Sequence, residues 1–156
     1  MKDVNFSVDT NRFNFRVAGF IRIDDKILLQ KSPQMDFYNL PGGRVKFGES
    51  TVEAIIREVK EELCIDIDQP KLFYVAENFF KWENQDVQEL VFIYKIDIDR
   101  KYLDILDHHK VPDNATEYTY WMDIKNLKDI TCKPNLIYDL PNITAEFTHN
   151  IEKIYK

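Results

Sequence analysis

The stretch from Gly42 to Ile65 constrains this chain more than any other, because it joins a glycine turn to a helix whose start and faces can be read residue by residue. Ser50, with Glu53 three positions on, has the spacing of a capping box, in which each residue satisfies a free backbone N–H of the other. Val52, Ile55, Ile56, Val59 and Leu63 then recur at helical spacing and form a stripe that must face a core. Beside that stripe stand Glu58, Glu61 and Glu62, at i, i+3 and i+4 on a single face.

Carboxylates crowded at the margin of a buried surface repel one another and raise one another's pKa values. A divalent cation removes the conflict, and magnesium in particular binds through a few carboxylates, waters and substrate phosphate oxygens. The preceding turn complements it: Gly42-Gly43 lets backbone groups approach a metal or a phosphate with no side chain in the way. Glu49 returns a further carboxylate to the start of the helix, and Arg57 can pair with Glu49 or Glu58 and orient it. A glutamate-rich helix is by itself more often a solvated face, so the weight falls on the whole spacing.

That spacing is Gly43, five residues, Glu49, seven residues, then Arg57-Glu58-Val59-Lys60-Glu61-Glu62-Leu63-Cys64-Ile65. It resembles the signature of the Nudix (MutT-like) hydrolases, G-x5-E-x7-R-E-U-x-E-E-x-G-U with U aliphatic. It departs only at the last glycine, where Cys64 stands. Tyr38-Asn39-Leu40-Pro41-Gly42-Gly43 resembles the aromatic-x-L-P-G-G lead-in of that family, and Trp121 its late strand.

The resemblance implies an α/β fold, an α/β/α sandwich around a mixed sheet, with residues 1–156 as a single domain. It implies hydrolysis of a pyrophosphate bond in a nucleoside diphosphate linked to a further group, with Mg2+ or Mn2+ as cofactor. Carried over residue by residue, the metal positions are Gly42, Glu58, Glu61 and Glu62. Glu58 is the expected general base, supported by Arg57 and Glu49. A later carboxylate, Glu117 before Asp113, is the alternative for the base or for a last metal ligand. Gly43, Arg44 and Lys46 are the candidate substrate contacts, Arg44 and Lys46 either meeting phosphate oxygens or facing solvent. At Cys64 the expected left-handed exit costs a non-glycine residue about 1 kcal/mol, so either the helix ends differently or the strain is tolerated.

The rest of the chain suits such a frame. Phe13 to Ile23 alternates in the manner of a strand with one buried face, and Asp24-Asp25 turns it into a hairpin with Lys26–Lys31. Strands are expected at Lys71–Asn78, Gln88–Asp99 and Tyr118–Met122, a polar loop from Leu103 to Thr116, and helices at Asn135–Leu140 and Thr144–Tyr155. Phe79, Phe80 and Trp82 read as core closure more readily than as a base-stacking platform. The adjacent His108 and His109 read as ordinary loop residues.

Composition sets the outer limits. With 44% hydrophobic and 31% charged residues among 156, the chain has enough apolar material for a core of its own. The net charge of −6, with basic residues scattered, argues against long nucleic acid as a partner, disfavours RNA 5′ ends as the third candidate substrate, and leaves a small nucleotide-derived substrate. Cys64 and Cys132 form no metal or disulfide pattern, and neither a signal layout nor a membrane-length apolar run is visible, so a cytoplasmic protein is expected. The Nudix resemblance further suggests a homodimer. The competing function is a nucleotide-sensing module that keeps the fold without turnover.

Overall fold

Alternation from Phe13 onward produces the strand on which the molecule is organised. The computed structural model describes all residues except Asp113, Ala115, Ala145, Tyr155 and Lys156, and in it a short β1 (Asn5–Val8) leads into the long β2 (Asn11–Ile23). One edge of β2 pairs in parallel with β6 (Gln85–Ile96) from Asn11 to Ile21. Its other edge is shared in succession by β1, by β4 (Gly42–Arg44) and by β3 (Lys26–Lys31), all antiparallel. Asp24, at φ 51°, makes the expected turn into β3.

β5 (Lys71–Trp82) joins β6 through Glu83 and Asn84, both at positive φ, the backbone that a two-residue hairpin turn demands. The remaining strands are β7 (His109–Lys110), β8 (Tyr118–Asp123) and β9 (Thr148–Lys153), and the sheet runs β7-β8-β3-β2-β6-β5-β9. Parallel pairs at β2/β6 and β5/β9 among antiparallel neighbours make it a mixed sheet.

Helix α1 (Thr51–Leu63) covers one face, burying Ala54, Ile55, Val59 and Leu63 with Val17, Ile21 and Leu28. Leu127, Leu136, Ile137 and Leu140, from 3-10 turns near the C-terminus, pack with Ala18, Phe20 and Leu29 on the other. The layers are thus helix, mixed sheet and helical turns, an α/β sandwich.

Several expectations need correction. β2 was expected to bury one face, but Val17 through Ile21 are buried throughout because the sheet is covered on both sides. Val52 leaves the helical stripe and is exposed, while Ala54 joins it. The segment read as a third helix, Thr144–Tyr155, instead contains β9, which pairs with Tyr74–Phe79 along the open edge of β5. Asn135–Leu140 is 3-10 rather than α-helical, set between Pro134 and Pro141. The Leu103–Thr116 loop contains a short helix α2 (Tyr102–Ile105) and β7.

Candidate active site

The capping box forms as expected: Ser50 Oγ accepts from Glu53 N–H at 3.2 Å, and Glu53 Oε2 accepts from Ser50 N–H at 2.7 Å. This fixes where α1 starts, and therefore which of its residues face the Gly42-Gly43 turn. At the other end Cys64 adopts φ 60° and ψ 31°, and its N–H bonds to Lys60 O at 3.1 Å. The helix exits as a glycine would let it, with a cysteine in the left-handed region.

Arg57 lies at the centre of the site. Its Nε and Nη2 grip the two oxygens of Glu49 at 2.6 and 3.0 Å, the forked geometry that suits a guanidinium and a carboxylate. Nη1 donates to Glu58 Oε1 at 2.6 Å and to Glu61 Oε2 at 3.1 Å, and Nη2 reaches Arg44 O at 3.0 Å. Glu49 Oε2 also accepts from Lys46 N–H at 2.9 Å, so helix and loop are locked through one pair of residues. The bond from Arg57 is the main cause holding the Glu49 carboxyl below its ordinary pKa.

The other carboxylates are shifted the opposite way. Burial raises the pKa of Glu58, opposed by Arg57. Burial pushes Glu62 up to about 8, with the charges of Glu58 and Glu117 adding to it and the Gly42 N–H, 2.9 Å from Glu62 Oε2, opposing it. Gly43 lies so close to Glu58 that a Cβ there would stand 2.4 Å from its carboxylate. Hard oxygen donors, an excess of buried negative charge and a glycine cradle are what a divalent cation requires, so the residues fit one. Among the described residues, no group of three or more His, Cys, Asp and Glu is already gathered for an ion. Arg57 takes one oxygen each of Glu58 and Glu61, while Glu62 accepts from the Gly42 amide.

Residues 13–140 match the NUDIX domain family. The chain belongs to the Nudix family. An ADP-ribose pyrophosphatase of Methanocaldococcus jannaschii is 32% identical over 135 residues, which cover 84% of this chain and 70% of that protein. The solved structures of a MutT protein from Bacillus halodurans and a MutT NUDIX hydrolase from Burkholderia pseudomallei superpose with TM-scores of 0.66 and 0.65 at 18% and 22% identity. They match 87% and 85% of this chain, and 89% and 98% of their own, a likeness of fold.

A cleft of about 650 Å³ opens over the sheet face opposite α1. Arg16 and Arg44 connect the two places. Both line the cleft; the charge of Arg16 acts on Glu58 and Glu62, and Arg44 O receives Arg57. The side chain of Arg44 also meets Asp3 at 3.5 Å. Phe79, Phe80 and Trp82, expected to close the core, line this cleft instead, together with Phe37.

Of the other residues singled out in the sequence, Glu117 lies near enough for its charge to raise Glu62, and it accepts from Asn114 Nδ2 at 2.8 Å. Asp113 lies outside the described residues. His109 Nε2 bonds to Glu62 O at 3.0 Å, and His108 packs edge-on to Tyr120, so both serve the fold. Lys46 contributes its backbone N–H to Glu49.

Asn14, Asn78 and Glu89 escaped the sequence reading. Each is more than nine-tenths buried on the cleft floor. The available signal was a polar residue inside an alternating strand, which is indistinguishable from a solvent-facing position until the second face of the sheet is known to be covered.

Proposed function

We propose that this Nudix chain is a divalent-metal-dependent pyrophosphohydrolase acting on a small nucleotide-derived substrate. The reading is carried by one observation: Arg57 holds Glu58 and Glu61, Glu62 meets the Gly42-Gly43 turn, and Arg44 of that turn also lines a cleft with aromatic and cationic walls. Glu58, Glu61 and Glu62, with the Gly42 carbonyl, would hold Mg2+ or Mn2+ through the oxygens that Arg57 leaves free. Such an ion, when bound, neutralises phosphate charge and acidifies water.

The remaining tasks belong to the chain itself. Arg57 holds Glu58 in place while its grip on Glu49 keeps the loop against the helix. Glu58 accepts the proton of the attacking water at its carboxylate; burial has already raised its affinity for that proton. Glu117 is the second candidate for this role, being close enough to act on Glu62. The absence of a side chain at Gly43 leaves room for the Glu58 carboxylate beside the turn, where the pyrophosphate would be received. Arg44 and Lys46 offer positive charge to its oxygens, and the cleft receives the nucleoside portion.

The test is incubation with Mg2+ and a panel of nucleoside triphosphates, nucleotide sugars, dinucleotides and ADP-ribose, the last because the 32%-identical relative is an ADP-ribose pyrophosphatase. Metal-dependent release of phosphate, pyrophosphate or nucleoside monophosphate is expected from at least one, falling at least about 100-fold in E58Q. Turnover of none, with thermal stabilisation by one, would replace this reading with that of a nucleotide sensor.

A further inference from the structure

Strand pairing places Asn14, Glu89 and Asn78 in one row across the floor of the cleft. Asn14 of β2 and Asn78 of β5 are each the Cα partner of Glu89 on the central β6, and directly opposed residues of a sheet project from the same face. The neighbouring floor positions on β6 are apolar, Val87 and Val91, so Glu89 is an acidic group set in an otherwise greasy strip.

Glu89 is 7% exposed and poorly partnered. Asn78 Nδ2 reaches its Oε1 at 3.4 Å, and Arg16 lies 3.9 Å from its Oε2. Both contacts are long for a charged acceptor with about four lone-pair sites. Asn78 Oδ1, beside it, is buried and has no hydrogen-bond partner among the described residues. A buried carboxylate and a buried amide oxygen with unused acceptor capacity are costly in a floor that serves only the fold. They call for a ligand that brings N–H donors.

We propose that Glu89, positioned by Asn78, reads the nucleobase in this cleft and selects one that presents two adjacent N–H donors. Among the common bases that is guanine, through N1–H and the 2-amino group, which match the two oxygens of a carboxylate. Adenine and cytosine place a ring-nitrogen lone pair next to their amino group, and uracil flanks its N–H with carbonyls. Each brings an acceptor against the carboxylate. Hypoxanthine keeps the N–H but lacks the amino group. Phe37 and Phe80, half-buried in the lining, supply apolar surface for the ring.

The inference rests on the cleft receiving the nucleoside, as in the function proposed above, and the two are tested separately. Nucleoside monophosphates have no pyrophosphate bond, so their binding is measured without turnover. Calorimetric titration with GMP, IMP and AMP in Mg2+ is expected to show GMP binding at least about tenfold more tightly than the other two. In E89Q, which offers one acceptor and one donor, the three affinities are expected to fall within about threefold of one another.

Equal binding of the three by the native protein, binding of none, or an E89Q variant that folds and keeps the preference would overturn the proposal. If E89Q does not fold, the ranking by the native protein decides. Guanine preference without hydrolysis of any guanine nucleotide would sink the hydrolase reading and leave this one standing; hydrolysis without base preference would do the reverse.

Discussion

Cys64 and the paired glycines show what single residues contribute to this site. Cys64 holds φ 60° at the helix exit, where a glycine carries no steric penalty, and its side chain is exposed. C64G is therefore expected to stabilise the protein by about 1 kcal/mol with turnover unchanged, read by urea unfolding and a hydrolysis assay. A loss of stability would show that the thiol makes a contact of value. The glycines should separate fold from chemistry. At Gly42, with φ 152°, a Cβ would lie 2.2 Å from Val17 O, a backbone atom held in the sheet, so G42A is expected to destabilise the fold itself. At Gly43 the obstacle is the Glu58 carboxylate, the end of a side chain that can swing away. G43A should melt within a few degrees of the native protein while losing most of its activity. Equal loss of stability in both variants would contradict this division. These residues were visible in the sequence because their spacing is local, yet the spacing did not reveal that Cys64 adopts the glycine backbone; that depends on how the helix meets the following loop.

At the scale of elements, α1 and the loop before it behave as one unit through Arg57 and Glu49. Their side chains are 20% and 6% exposed, so removing the guanidinium leaves a largely buried carboxylate without its partner. R57A should cost about 3 kcal/mol in chemical denaturation, and R57K, which keeps the charge but not the fork, should recover only part of it. A cost near zero for R57A would mean that the loop is held by its backbone alone. The pH sign follows from Glu49: its depressed pKa contributes stability that is present above the ordinary carboxylate pKa and is lost as pH falls through the lower folded value. The helix was legible because its capping box, apolar stripe and charged edge all lie within one segment. The C-terminal elements were not. Thr148–Lys153 became a strand because β5 offers it an open edge, and nothing in its own sequence states that edge exists.

For the whole molecule, coverage of the sheet on its two sides decides where a ligand-sized cleft is left. α1 seals one face; the C-terminal turns seal only part of the other, and the remainder is the cleft lined by Arg16 and Arg44. The sequence therefore disclosed the glutamate edge of α1, a local pattern, but not the polar row at Asn14, Glu89 and Asn78, which exists only once β2, β6 and β5 are side by side. The concentration of buried acid has a global consequence. Glu62, at about 8 in the folded protein against 4.5 ordinarily, contributes stability that is fully present below about 4.5 and is lost as pH rises through about 8. Metal-free protein should accordingly melt at progressively lower temperature across that interval, E62Q should flatten the profile, and Mg2+ should raise the melting temperature more at high pH than at low. A profile unchanged in E62Q would show that Glu62 is not the group responsible.

The central claim is that the glutamates of the Nudix helix form a divalent-metal site, and titration of the protein with Mn2+, following the free ion by electron paramagnetic resonance, tests it most directly. The native protein is expected to remove Mn2+ from solution, and a folded E58Q/E62Q double variant to bind it at least about tenfold more weakly. Equal affinity in the two would place the ion elsewhere and contradict the claim.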